Sequence, residues 1–225
     1  MTTVLIPGLL CDGVVWEPVL NQLTAEVADL STQDSLTQMA EDVLARYSGP
    51  LRVAGHSMGA RVALEMARIA PQRIERLALL DTGIHPLKDG ETAKRDEIVQ
   101  FAYENGMEAL ADRWLPPMVY AENQTNTPMM ADLRAMVLRM TPDLHARQIK
   151  ALVNRPDASA YLSDIGCPVL LMVGRQDAWS PVSQHDDMRA LLPNARLEIV
   201  ENAGHFAPIE QPQAVADLLV PFLQS

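Results

Sequence analysis

Short apolar runs alternate with amphipathic segments over most of the chain. Six runs have the length of buried strands, and they lie at residues 4–6, 27–30, 51–54, 74–80, 168–174 and 195–200. Between them apolar residues recur at helical spacing, as at Leu36, Met39, Ala40 and Val43. Strands that alternate with helices need crossover connections, so the pattern predicts a mostly parallel α/β sheet of about six strands, flanked by helices on both faces.

The alternation stops between residues 84 and 164, where strand-like runs disappear. Helices are predicted there at about 89–104, 107–114, 128–140 and 142–153. We therefore expect residues 1–83 and 165–225 to form the α/β core, and residues 84–164 to form a helical cap (lid) over the C-terminal edge of the sheet. Six of the 12 methionines lie in this insertion, and they could either line a pocket or pack the insertion onto the core.

A Gly-x-Ser-x-Gly motif, Gly55 to Gly59, stands between the third apolar run and the helix that follows it. A serine hydroxyl is a poor nucleophile, so catalysis needs it at the apex of a tight turn, near a base and the free N–H groups of a helix N-terminus. The two glycines allow the strand and helix backbones to approach closely. The motif can also be an ordinary turn, and its position between strand and helix is what favours a nucleophile at Ser57.

Two further polar residues, Asp177 and His205, follow later apolar runs. The carboxyl ends of parallel strands meet at one edge of a sheet, so we expect both side chains to lie near Ser57. Asp81 also ends a run and is a rival for the acidic position. His56 lies inside the turn, where strand alternation points it away from Ser57, and we interpret it as structural.

These features resemble the α/β-hydrolase fold superfamily, whose catalytic residues follow one another in the order Ser, Asp, His. The resemblance rests on five segments: Ile6-Pro7-Gly8-Leu9, Gly55-His56-Ser57-Met58-Gly59, Leu80-Asp81, Val173-Gly174-Arg175-Gln176-Asp177 and Ala203-Gly204-His205. It implies the strand order 4-3-5-6-7-8 in the superfamily's own strand naming. It also favours Asp177 over Asp81, because Gly174 to Asp177 matches the usual acid loop.

The resemblance implies a role for each of these residues. Ser57 is expected to be the nucleophile, His205 the general base and then acid, and Asp177 the carboxylate that orients His205. The backbone N–H groups of Leu9 and Met58 are expected to form the oxyanion hole. Candidate pocket residues lie beside these loops or in the insertion: Trp16, His85, Met118, Met129, Met136, Trp179 and Phe206.

Among capped relatives the chain is most similar to small-molecule carboxylesterases, enol-lactonases and cofactor-free haloperoxidases. This similarity implies hydrolysis of a carboxylic ester, lactone or thioester through an acyl-serine intermediate, without a cofactor or a metal. Carbon–carbon bond hydrolases and haloperoxidase-type perhydrolases share the triad and stay open as alternatives. A ligand-binding or signalling protein that keeps the fold without catalysis is a third reading.

Composition narrows the range of partners. The net charge of −11 opposes binding to nucleic acid or to an anionic membrane surface. The two cysteines, Cys11 and Cys167, lie far apart and suggest neither a disulfide framework nor a zinc site. The sequence shows neither a signal-like nor a membrane-spanning stretch, so we expect a cytoplasmic protein, and both a monomer and a homodimer stay open.

Overall fold

The computed structural model describes all 225 residues and contains one sheet of six strands, all parallel. The strands are β1 (Thr2–Ile6), β2 (Glu26–Val27), β3 (Leu51–His56), β4 (Ile74–Leu80), β5 (Val169–Gly174) and β6 (Ala195–Val200). Their order in the sheet is β2-β1-β3-β4-β5-β6. This order confirms the one that the resemblance to the α/β-hydrolase superfamily implies.

Nine α-helices connect and cover the strands. They are α1 (Glu17–Leu20), α2 (Leu36–Arg46), α3 (Met58–Ile69), α4 (Glu91–Trp114), α5 (Thr127–Leu138), α6 (Pro142–Val153), α7 (Val182–Leu191), α8 (Ala207–Glu210) and α9 (Pro212–Gln224). Helices α4, α5 and α6 follow one another between β4 and β5, where the chain forms no strand. None of the nine helices is both long and apolar enough to cross a membrane.

The sheet separates two hydrophobic clusters, because successive side chains of a strand point to opposite faces. On β1, Val4 and Ile6 belong to the cluster that packs against α2 and α3, whereas Leu5 belongs to the cluster that packs against α9. The second cluster also receives side chains from α4 and α5. Because both faces are covered, the strands appear in the sequence as continuous apolar runs.

Three elements differ from the sequence prediction. Strand β2 is only two residues long, since it lies at the edge of the sheet and pairs with β1 alone. The apolar spacing at about 16–23 predicts one amphipathic helix, but the chain forms a 3₁₀ turn, Gly13–Trp16, followed by the short α1. The Asp12 side chain caps the 3₁₀ turn at the Val14 N–H. The helices predicted at 89–104 and 107–114 form one element, α4, with a kink at Gly106, where φ is 81°.

A sharp turn joins β3 to α3 at Ser57, whose φ of 55° and ψ of −115° lie outside the regions favoured by L-residues. The turn packs tightly against its neighbours. A Cβ atom on Gly59 would overlap the carbonyl oxygens of Ile6 and Pro7, and one on Gly55 would overlap the backbone of Gly59 and Ala60. Only glycine fits at both positions, so the start of α3 can lie directly against the end of β1.

This packing predicts the effect of adding one methyl group at the turn. Gly59→Ala should destabilise the protein by at least about 2 kcal/mol, because two backbone carbonyls would have to move. The matched control is Gly166→Ala, where no atom lies within 4 Å of the added Cβ atom. Chemical unfolding of both variants measures the difference, and equal stabilities would contradict the packing described here.

Candidate active site

Ser57, Asp177 and His205 converge at the carboxyl edge of the sheet, where they follow β3, β5 and β6. His205 lies between the other two side chains. Its Nδ1 atom is 2.8 Å from Asp177 Oδ2, and its Nε2 atom is 2.8 Å from Ser57 Oγ. The three residues singled out from the sequence are thus joined in a single chain of hydrogen bonds.

Asp177 is a buried carboxylate surrounded by hydrogen-bond donors. Its second oxygen, Oδ1, accepts hydrogen bonds from the backbone N–H groups of Trp179 and Ser180, each at 2.8 Å. Burial alone would raise the pKa of Asp177, but the neighbouring His205 and these donors hold it below its ordinary value. Asp177 is therefore ionised at neutral pH, so the nitrogen that faces it, His205 Nδ1, carries a proton.

Asp81 occupies a different position, although it too ends a strand. It is fully buried, and burial together with the charge of Asp177 raises the pKa of Asp81 well above its ordinary value. Its Oδ1 atom accepts a hydrogen bond from the Gly174 N–H, and its Oδ2 atom lies 3.8 Å from His56 Nε2. No hydrogen bond joins Asp81 to His205, so the geometry pairs the histidine with Asp177.

His56 supports the loop that carries His205. Its Nε2 atom lies 2.7 Å from the His205 carbonyl oxygen, and its ring stacks on Phe206 at a centroid distance of 5.6 Å. Burial lowers the pKa of His56 to about 3, so the ring is neutral and donates one proton to this carbonyl. No hydrogen bond joins His56 to Ser57, and the contacts of His56 with the His205 loop agree with a structural role.

A buried glutamate that the sequence reasoning missed also holds the His205 loop. Glu210 Oε1 accepts from the N–H groups of Gly204 and Phe206, and Oε2 accepts from the N–H of Tyr120. The His205 N–H in turn donates to the Met118 carbonyl at 2.7 Å. The available signal in the sequence was a single carboxylate in the apolar stretch between His205 and α9.

Two backbone N–H groups beside Ser57 have no partner within the protein. These are the amides of Leu9 and Met58, and both residues line the cavity next to the Ser57 side chain. The adjacent Leu10, whose φ is 57°, donates its N–H to the side-chain oxygen of Gln148 at 2.9 Å. Gln148 lies on α6 and is 2% exposed, so a residue of the insertion holds the loop after β1.

A cavity of about 780 Å³ opens beside Ser57, between the sheet edge and helices α4 and α6. Of the pocket residues expected from the sequence, His85, Met118 and Trp179 line it. No group of three or more His, Cys, Asp or Glu side chains is placed to hold a metal ion.

Four other expected pocket residues, Trp16, Met129, Met136 and Phe206, do not line this cavity, and here the expectation is corrected. All four are buried in the hydrophobic cluster on the α9 side of the sheet. Met129 and Met136 lie on the inner face of α5, and Phe206 packs between His56 and Trp114. Their apolar side chains contribute to the core because packing there removes them from water.

Comparisons with known proteins agree with this architecture. Residues 3–218 match the model of a family described as the alpha/beta hydrolase family. The chain is 30% identical over 187 residues to the pimeloyl-[acyl-carrier protein] methyl ester esterase of Nitrosomonas europaea. The matched region covers 80% of this chain and 74% of that protein.

Two solved structures are similar over the whole chain. A thermophilic esterase from Thermogutta terrifontis has a TM-score of 0.91 and 24% identity, covering 100% of this chain and 89% of that one. The enol-lactonase from Burkholderia xenovorans LB400 has a TM-score of 0.88 and 23% identity, covering 100% of this chain and 92% of that one. At these identities the two structures show the shared fold.

The buried histidines predict how stability depends on pH. Burial lowers the pKa values of His56, His145 and His185 to about 3, 4 and 4. In the unfolded chain they titrate near pH 6.5, so below that pH the unfolded state binds protons that the native state does not. The free energy of unfolding should therefore fall between about pH 6.5 and 4, by up to ~1.4 kcal/mol per pH unit for each histidine.

Urea unfolding at pH 7.5, 6.0 and 5.0 measures this slope. His145→Phe should reduce the slope, because one of the three histidines with a lowered pKa is removed. The control Ile149→Val, on the same helix, should lower stability without changing the slope. A slope that is unaffected by His145→Phe would contradict the prediction.

Proposed function

The chain belongs to the alpha/beta hydrolase family, and from this premise we propose that it is a serine hydrolase that cleaves a small-molecule carboxylic ester, lactone or thioester. The observation that carries the proposal is the hydrogen-bond chain from Ser57 through His205 to Asp177 beside a cavity of substrate size. The similar proteins include two esterases and an enol-lactonase, which supports a substrate with an acyl group bonded to oxygen.

In the proposed first half-reaction, Ser57 Oγ attacks the substrate carbonyl carbon. The hydroxyl proton passes to His205 Nε2, 2.8 Å away, while Asp177 holds the Nδ1 proton and stabilises the imidazolium. The unpartnered N–H groups of Leu9 and Met58 would bind the resulting oxyanion, and each such donor contributes about 3 kcal/mol to the transition state. The tetrahedral intermediate then collapses with loss of the leaving group, which takes the proton from His205.

In the second half-reaction, water attacks the acyl-serine carbonyl and gives a proton to His205 Nε2. Collapse of the second tetrahedral intermediate releases the carboxylic acid, and the proton returns to Ser57 Oγ. Water is the only co-reactant, so the cycle needs no cofactor. The proton moves from Ser57 to His205 in the first half-reaction and from His205 back to Ser57 in the second.

We further propose that residues 84–164 act as a cap subdomain on a core formed by residues 1–83 and 165–225. Two hydrogen bonds support this role. The Met118 carbonyl accepts from the His205 N–H, and Gln148 accepts from the Leu10 N–H. The insertion therefore contacts both the histidine loop and the loop that supplies the Leu9 amide, and it forms one wall of the cavity.

The serine mechanism predicts covalent labelling at one residue. A fluorophosphonate probe should modify the native protein at Ser57 and should not modify Ser57→Ala, which should also lose nearly all turnover of p-nitrophenyl butyrate. Ser48→Ala, at an exposed position, is the matched control and should keep both properties. Labelling that persists in Ser57→Ala would refute the mechanism, and a native protein that is neither labelled nor active would favour a non-catalytic ligand-binding protein.

The acid can be assigned by comparing two substitutions of the same kind. Asp177→Asn should lower kcat by at least about 10²-fold, because an amide facing Nδ1 selects the wrong tautomer of His205. Asp81→Asn should lower kcat by less than about tenfold, since asparagine keeps the acceptor for the Gly174 N–H and His205 Nδ1 is paired with Asp177. Steady-state kinetics on both folded variants measure the two losses of kcat. A larger loss in Asp81→Asn than in Asp177→Asn would assign the role of the acid to Asp81.

A further inference from the structure

The cavity beside Ser57 has a charge opposite in sign to that of the whole protein. The chain has 29 acidic and 18 basic residues, yet the cavity lining has more basic side chains than acidic ones. The basic residues are Arg61, Lys88, Lys94, Arg95, Arg113 and Arg155, and the acidic residues are Asp89, Glu91 and Glu97. Such a cavity attracts anions to an otherwise anionic protein.

The ion pairs in this lining leave one guanidinium without a carboxylate. Glu91 binds both Arg95 and Arg155, each at 2.7 Å. Arg113 pairs with Glu97 at 2.8 Å. Arg61 forms no salt bridge, and its one hydrogen bond is a long contact of 3.4 Å to the His85 carbonyl.

Arg61 lies on α3 one helical turn after Ser57, and four residues of a helix rise about 6 Å. Burial lowers the pKa of Arg61 to about 9, and the charges of Arg155 and Arg95 act in the same direction. A cation held there without an anion loses hydration and is repelled by its neighbours. An anionic group of a ligand would offset both effects.

A second polar side chain at this cavity also lacks a partner. His145, on α6, is 0% exposed and borders the cavity, and neither of its ring nitrogens has a hydrogen-bond partner. Burial and the nearby Arg95 lower the pKa of His145 to about 4, so the ring is neutral and offers one N–H donor. Buried polar atoms are usually paired, so a small rotation of the His145 ring toward the cavity would let one nitrogen donate to a ligand there.

We propose that Arg61, together with Arg95 and His145, binds a free carboxylate on the substrate, a few bonds away from the acyl carbon attacked by Ser57. This inference rests on the proposed ester hydrolysis and narrows its substrate class to esters or thioesters that carry a second, unreactive acid group. A carboxylate matches the guanidinium because its two oxygens accept parallel N–H bonds. Substrates with the carboxylate on the acyl part and substrates with it on the alcohol part both fit this position, and the experiments below distinguish them.

The test compares two methyl esters of nearly equal size. Monomethyl glutarate carries the carboxylate, whereas methyl glutaramate carries a neutral amide in its place. The wild type should show a kcat/KM at least tenfold higher for monomethyl glutarate. Arg61→Gln should lower this ratio about 10- to 100-fold, mainly through KM, since hydrogen bonds to charged groups have this strength.

Three further variants test whether the change in this kcat/KM ratio is specific to the guanidinium group of Arg61. Arg61→Lys should recover part of the ratio, and His145→Phe should lower it less than Arg61→Gln does. The matched control Arg46→Gln removes the same charge from an exposed position on α2 and should leave the ratio unchanged. A ratio near one in the wild type, or an equal loss for both esters in Arg61→Gln, would overturn the proposal.

Further arms locate the carboxylate and separate this proposal from the proposed function. The ratio of kcat/KM for O-butanoyl glycolate to that for O-butanoyl glycolamide is compared with the ratio for the two glutaric esters. A larger ratio for the glycolate pair would support the carboxylate subsite and assign the carboxylate to the alcohol part of the substrate. Calorimetric binding of glutarate, weakened in Arg61→Gln but not in Arg46→Gln, would support the subsite even if neither ester is cleaved. In that case the proposed ester hydrolysis alone would fail.

Discussion

The approach of three backbones at Ser57 is the constraint on which the rest of the site depends. The end of β1, the end of β3 and the start of α3 meet where Gly55 and Gly59 leave no room for a side chain. This contact holds Ser57 at a positive φ and leaves the Met58 and Leu9 amides unpartnered on the cavity side. Such strain persists only when the surrounding structure determines it, and here a buried parallel sheet does so.

The insertion between β4 and β5 is part of the site as well as a wall of the cavity. It supplies the Met118 carbonyl to the His205 loop and Gln148 to the loop after β1, and Glu210 ties the same histidine loop to Tyr120. These partners are separated by about 90 to 140 residues in sequence. Movement of the insertion relative to the core would therefore displace the groups proposed to hold the histidine and the oxyanion.

Charge is distributed unevenly around the site. Behind the sheet edge, burial disfavours the charged forms of Asp81 and His56, because it raises the pKa of the carboxyl and lowers that of the imidazole. In front of it, guanidinium groups outnumber the carboxylates that could neutralise them. Asp177 lies between these regions and keeps its charge because His205 and two backbone amides stabilise it. Groups whose charged forms are disfavoured by burial thus lie behind the site, and an excess of positive charge faces the cavity.

The resemblance to the superfamily implied the order of the strands in the sheet. The sequence by itself determined the six strands and the convergence of Ser57, Asp177 and His205. Those features follow from local patterns, since apolar runs define buried strands and parallel strands place their carboxyl ends at one edge. Only the tertiary structure decided which side chains face the cavity. Met118 lines it, whereas Met129 and Met136 pack in the core, because their orientation depends on how α5 lies against the rest of the chain. The partners of Arg61, His145 and Gln148 depend in the same way on contacts between distant segments, which no local sequence pattern encodes.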